Sequence, residues 1–266
     1  MVKKNLKILA IVQARIGSSR LPGKVLKKIN AHSMISVLLS RLSLSKTINE
    51  IIVATSNMPQ DFALIEHVRG LGYQSYAGDE TDVLGRFLES AESYNGDIIV
   101  RITGDCPLVS HDLVDRVVLK FLEGNSEYAS NISPPSFPDG LDVEVFSIES
   151  LRLAAKRAQS SFDREHVTPF IRNYYSKHLI NVKNSKDYSN LRWTVDEAQD
   201  LDVVRNIFNY FAPNIFFDWK EVLSLYNRDP ELFKANTSIS RNEGAYMSNG
   251  QKMWKRAKHV IPGGNM

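Results

Sequence analysis

Between Ala14 and Lys24 the sequence reads ARIGSSRLPGK, so that Arg15, Arg20 and Lys24 are interleaved with Gly17, Ser18, Ser19 and Gly23. Small residues let main-chain amides approach a ligand closely, and cations beside them attract oxygens that carry negative charge. The chemistry of such a loop is phosphate binding. It is not the Walker A loop G-x-x-x-x-G-K-[ST], because Gly17 and Gly23 enclose five residues and Val25 follows Lys24 where a magnesium-binding hydroxyl would stand. A turn with solvated charges has the same composition.

Two carboxylates stand where they would complete a phosphate site. In VRITGDCPL, Asp105 follows an apolar strand-like run, and in NLRWTVDEAQDL, Asp196 falls at a strand-to-helix junction. Ligands of open α/β sheets sit at such strand ends. A lone aspartate there also serves as a helix cap. Two of them with a cationic loop point to a magnesium–triphosphate site, with hard carboxylate oxygens for the metal and Lys24 and Arg15 for the phosphates.

Other residues point toward a second substrate. Asp142 and Glu144 alternate with Leu141, Val143 and Val145, which places both carboxylates on one face of a strand. They suit an amine or hydroxyls of an acceptor, a share of metal, or a solvated strand edge. His166, in DREHVTPF, is an acceptor-binding candidate on a helix of alternating charge, where a lone histidine is more often structural. Cys106, between Asp105 and Pro107, reads as an inert buried thiol.

The elements that must position these groups alternate along the chain. LKILAIVQA, EIIVATS and DIIVRITGD read as buried strands, and MISVLLSRLSLS, DFALIEHVRGLG and HDLVDRVVLKFLEG as amphipathic helices. That order predicts βαβ units, an α/β fold with a mainly parallel sheet flanked by helices. Residues 128–148 read as a long proline-bearing loop, able to cover a pocket, that feeds the strand LDVEVFS. Residues 149–177 read as helical, HLINVKN and NLRWTVD as strands, and DEAQDLDVVRNIFNYF as a helix. The main domain is expected to span residues 1–233, with a polar linker over 234–251 and a distinct segment at 252–266.

Composition narrows the function further. The 266-residue chain carries a formal net charge of only +3, which is no nucleic-acid-binding stripe, so any anion site must be local. Its single cysteine excludes an internal disulfide, and no Cys/His cluster has zinc spacing, which together predict a reducing, cytoplasmic setting. The apolar run at the N-terminus is short and lacks a cleavage site, and no run predicts a membrane span.

The motifs ARIGSSRLPGKVL, GDETDVLGRF, VRITGDCPL, FPDGLDVEVFS, DREHVTPF and LRWTVDEAQDL, in this order over most of residues 6–211, resemble the spore coat polysaccharide protein F group. That group belongs with the cytidylyltransferases that activate acidic sugars such as 3-deoxy-manno-octulosonate and acylneuraminate. The resemblance implies a glycosyltransferase-A-like, Rossmann-like nucleotidyltransferase that uses CTP and Mg²⁺. It further implies that Arg15 and Lys24 bind phosphate and that the turn from Ala14 through Gly17, Ser18 and Ser19 wraps the triphosphate, with Arg20 as a further contact. Asp105 and Asp196 match metal ligands. Asp79 and Arg86 match a motif near the nucleotide, although Arg86 equally suits an ion pair of its own helix. A homodimer is a further implication. The tail WKRAKHVIPGGNM resembles the opening of glutamate-1-semialdehyde-type aminotransferases, which implies a fused pyridoxal-phosphate domain and an acceptor such as an amino-alcohol phosphate or amino sugar. Competing expectations are a nucleotide-sugar-dependent glycosyltransferase and a non-catalytic nucleotide-binding module.

Overall fold

Strand β1 (Ile8–Gln13) is buried except at Gln13, as a strand covered on both faces must be. The structure, a computed structural model, describes residues 6–239 and residue 241. After β1 and the glycine-rich loop comes a small ribbon, β2 (Lys28–Ile29) against β3 (His32–Ser33), and then α1 (Met34–Leu42). The chain continues through β4 (Glu50–Ser56), α2 (Phe62–Gly70), β5 (Gln74–Gly78), α3 (Val83–Ser93), β6 (Ile98–Thr103) and α4 (His111–Glu123). It then forms β7 (Tyr128–Ser130), β8 (Glu144–Ser147), α5 (Ile148–Arg157), α6 (Ser161–His166), α7 (Pro169–Tyr174), β9 (Ile180–Asn181), α8 (Ala198–Phe211) and α9 (Trp219–Arg228).

The strands form one seven-stranded sheet in the order β5-β4-β1-β6-β8-β7-β9. β5, β4, β1 and β6 run parallel, β8 is antiparallel to β6 and to β7, and β9 is parallel to β7. The parallel half is the βαβ alternation expected from the sequence. Because side chains alternate across a strand, β1 divides its residues between two cores. Ala10 and Val12 pack with Leu38, Val114, Val117 and Val204, and Leu9 and Ile11 pack with Leu84, Phe87 and Leu151. Hydroxyls and carboxylates start the helices at defined points: Ser33 accepts from the Ser36 amide, Asp82 from Gly85 and Ser110 from Leu113.

Several expectations are corrected. NLRWTVD is not a strand: Leu191 to Val195 run extended beside residues 139 and 105, with the Trp193 amide on the Asp139 carbonyl and the Val195 amide on the Asp105 carbonyl. The stretch 149–177 contains the short helices α5, α6 and α7, and HLINVKN contributes only Ile180 and Asn181 to the sheet. LDVEVFS enters the sheet only at Glu144, so Asp142 precedes the strand. The loop between β7 and β8 is pinned, since the Asn131 side chain bonds the Leu141 carbonyl at 2.7 Å and the Val143 amide at 2.8 Å. Buried contacts continue past residue 233 to Asn236, which is 3% exposed. The 252–266 segment, with its aminotransferase resemblance, lies outside the described residues.

Candidate active site

β1 and β6 lie side by side in register, Gln13 opposite Thr103, so the residues that follow them leave the sheet together. Gly104 makes this approach possible: a Cβ there would lie 2.8 Å from the Ala14 Cβ and 3.0 Å from the Gln13 carbonyl oxygen. Asp105 is thereby delivered beside the loop that starts at Ala14. A third segment comes from the other side of the chain. Gly140, at φ 107°, packs against the backbone at 193–194, where a Cβ would stand 2.7 Å from the Thr194 nitrogen. This contact, with the pairing of residues 139 and 105 to 191–195, fixes the position of Asp196.

Lys24 joins these segments. Its buried ammonium donates to Asp105 Oδ2 at 2.9 Å, to Asp196 Oδ1 at 2.9 Å and to the Val195 carbonyl at 2.8 Å, which uses all three of its N–H bonds. Burial opposes the Lys24 charge, but the two carboxylates outweigh it and raise the pKa. Burial likewise works to raise the Asp105 pKa, and Lys24, together with hydrogen bonds from Thr103 and Cys106, reverses this and brings it to about 2. Asp105 is therefore a carboxylate throughout the neutral range. Arg20 adds a second cation, its Nη2 2.8 Å from Asp196 Oδ1.

The loop itself is held at its start. Asp61, fully buried, accepts from the Ile16 amide at 2.6 Å, and the Gly23 and Ser18 amides both return to the Ile16 carbonyl. Gly23 takes the left-handed conformation, φ 67°, that releases the chain into the turn carrying Lys24. The amides of Gly17, Ser19 and Arg20 find no acceptor among the described residues. Arg15 reaches across to Glu80 Oε1 at 3.1 Å.

Residues 9–202 match the family model for cytidylyltransferases. The chain belongs to the cytidylyltransferase family. It is 36% identical over 239 residues to an uncharacterised protein of Methanocaldococcus jannaschii, covering 88% of this chain and 96% of that one. It is 30% identical to the spore coat polysaccharide biosynthesis protein SpsF of Bacillus subtilis, covering 84% and 95% of the two chains. A solved cytidylyltransferase from Leptospira borgpetersenii has a TM-score of 0.83 at 29% identity, covering 86% of this chain and 97% of that one. The chain is thus a CTP-dependent cytidylyltransferase on a nucleotidyltransferase fold.

In this cytidylyltransferase the structure brings Lys24, Arg20, Asp105 and Asp196 to one point, with Ala14, Gly17, Ser18 and Ser19 on the loop between them. Arg15, on the same loop, turns instead to Glu80, in the neighbouring turn that Asp79 opens and that leads into the helix carrying Arg86. Asp79 folds that turn by accepting from the amides of Thr81 and Asp82, and buried Arg86 donates to the Asp79 carbonyl at 2.9 Å, so Arg86 ties down its own helix. Asp142 is paired with Arg241. Glu144 does not present an open carboxylate: it is buried and accepts from Arg101, from the Tyr128 hydroxyl at 2.6 Å and from the Thr168 hydroxyl at 2.6 Å. His166 closes α6 with its ring 4.4 Å from that of Phe162. Just after it, Val167 adopts φ 70° and ψ −55°, a strained γ-turn that precedes the Thr168 bonded to Glu144.

Three site residues escaped the sequence reading. Arg192 and Asp200 pair behind Asp196, and Asp139, pushed up to about 7 by burial and by Asp142, accepts from Arg192. The signal available for Asp200 was its place at the third position of a helix capped by Glu197, with which it forms a capping box.

Proposed function

We propose that this cytidylyltransferase moves CMP from CTP, with Mg²⁺, to a sugar acid or a small amino-alcohol phosphate in surface polysaccharide synthesis. The observation that carries this reading is the convergence of Asp105 and Asp196 on the single ammonium of Lys24. The donor set fits the metal. Among the described residues no cluster of three or more His, Cys, Asp or Glu side chains forms a cage, and Mg²⁺ is typically bound by one or two carboxylates together with substrate phosphates.

Asp105 and Asp196 would hold the metal, which when bound supplies charge neutralisation of the phosphate oxygens. Lys24, whose three N–H groups bond Asp105, Asp196 and the Val195 carbonyl, and Arg20 would exchange part of these contacts for the triphosphate once it arrives, and the loop amides of Gly17 and Ser19, which find no acceptor among the described residues, would bond the same ligand. An acceptor oxygen, a phosphate oxygen or a hydroxyl that gives up its proton to solvent, bonds to the α-phosphorus while the bond to the bridging oxygen of the β-phosphate breaks, and pyrophosphate leaves with that oxygen. The cations stabilise the charge that gathers on pyrophosphate, so catalysis is positioning and electrostatics without a covalent enzyme intermediate.

The test is incubation with CTP, Mg²⁺ and candidate acceptors, namely 3-deoxy-manno-octulosonate, an acylneuraminate and an amino-alcohol phosphate, while pyrophosphate is measured. Pyrophosphate formed only with acceptor present supports the reading. A nucleoside diphosphate released from a nucleotide-sugar, with CTP inert, would overturn it in favour of glycosyl transfer.

A further inference from the structure

Asp196 has two carboxylate oxygens in different hands. Oδ1 faces the loop, toward Lys24 and Arg20, whereas Oδ2 accepts from Arg192 Nη2 at 3.0 Å. Arg192 is 7% exposed, and its guanidinium is fixed from three directions: Nε to Asp200 Oδ1 at 2.9 Å, Nη2 to Asp200 Oδ2 at 2.9 Å and Nη1 to Asp139 Oδ2 at 3.1 Å. Asp200 is completely buried and also accepts from the amides of Asp196 and Glu197, each at 2.9 Å, and from Asn236 Nδ2 at 2.9 Å. The same pair therefore grips both the main chain and the side chain of Asp196.

We propose that Arg192 and Asp200 are positioning residues for the cation site: they occupy Oδ2 of Asp196 and lock its rotamer so that Oδ1 alone is presented to the metal–nucleotide. The proposal rests on the reading of Asp196 as a metal ligand. A buried arginine among carboxylates is an expensive way to hold a loop together, and an apolar contact of the same volume does so at least as well. What the planar fork adds is direction. It bonds Asp200 through two parallel N–H groups and still has an N–H aimed at Asp196, an arrangement that the point charge of a lysine does not reproduce.

The test compares the full-length chain with Arg192→Lys, Asp200→Asn and Asp196→Asn. Binding of Mn²⁺ alone is read by electron paramagnetic resonance, and CMP transfer is followed over a range of Mn²⁺ concentrations. Loss of a group that orients a metal ligand typically weakens metal binding about tenfold to a hundredfold. Arg192→Lys and Asp200→Asn should each weaken Mn²⁺ by that factor while kcat recovers at excess Mn²⁺. A structural role alone would lower stability without making turnover metal-limited. The inference is overturned if either variant binds Mn²⁺ like the wild type, or if its lost turnover is not restored by excess metal. Asp200→Asn, nearly isosteric, carries the test should Arg192→Lys fail to fold. Asp196→Asn separates the two readings: if it binds Mn²⁺ normally, the ligand assignment falls, and if only Asp196→Asn is affected, the positioning role falls.

Discussion

Lys24 and Asp196 are 172 positions apart in the chain, yet the Lys24 ammonium lies 2.9 Å from the Asp196 carboxylate and equally close to Asp105. The cation closest to the proposed metal ligands comes from the phosphate loop itself. On the proposed reading, triphosphate and metal engage Lys24 and the two carboxylates together. Lys24→Ala should lower kcat/KM for CTP by about 10²–10³, the cost of removing one charge-stabilising donor. Calorimetry should show CTP binding weakened much more than CMP binding, and equal weakening would place Lys24 away from the departing phosphates.

Gly104 allows the ends of β1 and β6 to meet, and a methyl group there would press on Ala14 and on the Gln13 backbone. Backbone cannot yield as a flexible side chain can. Gly104→Ala should cost about 1–3 kcal/mol in urea unfolding, the usual penalty of overpacking, and should weaken CTP binding by shifting the loop relative to Asp105. Unchanged CTP affinity in a destabilised variant would show that the loop is set by Asp61 alone.

The parallel half of the sheet and the Lys24–Asp105–Asp196 grouping were legible because both follow from local pattern: buried runs that stop, then charge. Asp61, which pins Ile16, and Arg192, which pins Asp196, were not, because a buried charged residue reads like a surface one until its partner is placed. Leu191 to Val195 misread as a strand for a related reason. A covered extended segment has strand composition whether or not a ladder forms, and here the bonds go to residues 139 and 105. Strand β5 was missed because Gln74 and Ala77 are exposed at the sheet edge, which weakens the apolar signal.

Glu144 illustrates how alternation can mislead about function. The pattern correctly set it on a strand, but its face is covered by Tyr128, Thr168 and Arg101. Burial acts to raise its pKa, and Arg101 and Arg172 with these hydroxyls hold it below the usual glutamate range. Glu144→Gln strands the Arg101 charge and should cost about 3–5 kcal/mol. The melting temperature should fall by about 10 °C, given the usual conversion for a chain of this size. Comparable KM changes for amino and hydroxyl acceptors are expected, and a change selective for the amino acceptor would return Glu144 to the acceptor site.

Asp139 gives a pH dependence opposite to that of Asp105. Its pKa, ordinarily 3.8, is pushed up to about 7 by burial and by Asp142, so the folded protein binds the proton more tightly than the unfolded chain does. Stability from this group is present at low pH and is lost as pH rises from about 4 through 7. Asp105, lowered to about 2, contributes stability that is lost only as pH falls below about 4, outside that window. Urea unfolding between about pH 5 and pH 8 should show stability decreasing with pH, with the slope reduced in Asp139→Asn. An unchanged slope would assign the dependence to another group.

Asn236 and Arg241, beyond Phe233, still bond residues of the main fold. Asn236 Nδ2 donates to the Arg192 carbonyl at 3.1 Å and to Asp200 at 2.9 Å, and Arg241 bonds Asp142 and the Phe137 carbonyl. A chain ended at Phe233 lacks both residues, whereas one ended at Arg241 keeps them. The shorter chain loses the donor to the buried Arg192 carbonyl and one of the two donors to Asp200 Oδ1, which keeps Arg192 Nε, and this should cost about 1–3 kcal/mol in urea unfolding relative to the longer one. Because Asp200 also holds the main chain of Asp196, the shorter chain should need more Mn²⁺ for half-maximal CMP transfer, while the KM for CTP at saturating metal stays nearly constant. Equal stability and equal metal demand in the two chains would mean that Asn236 closes over Asp200 without supporting it.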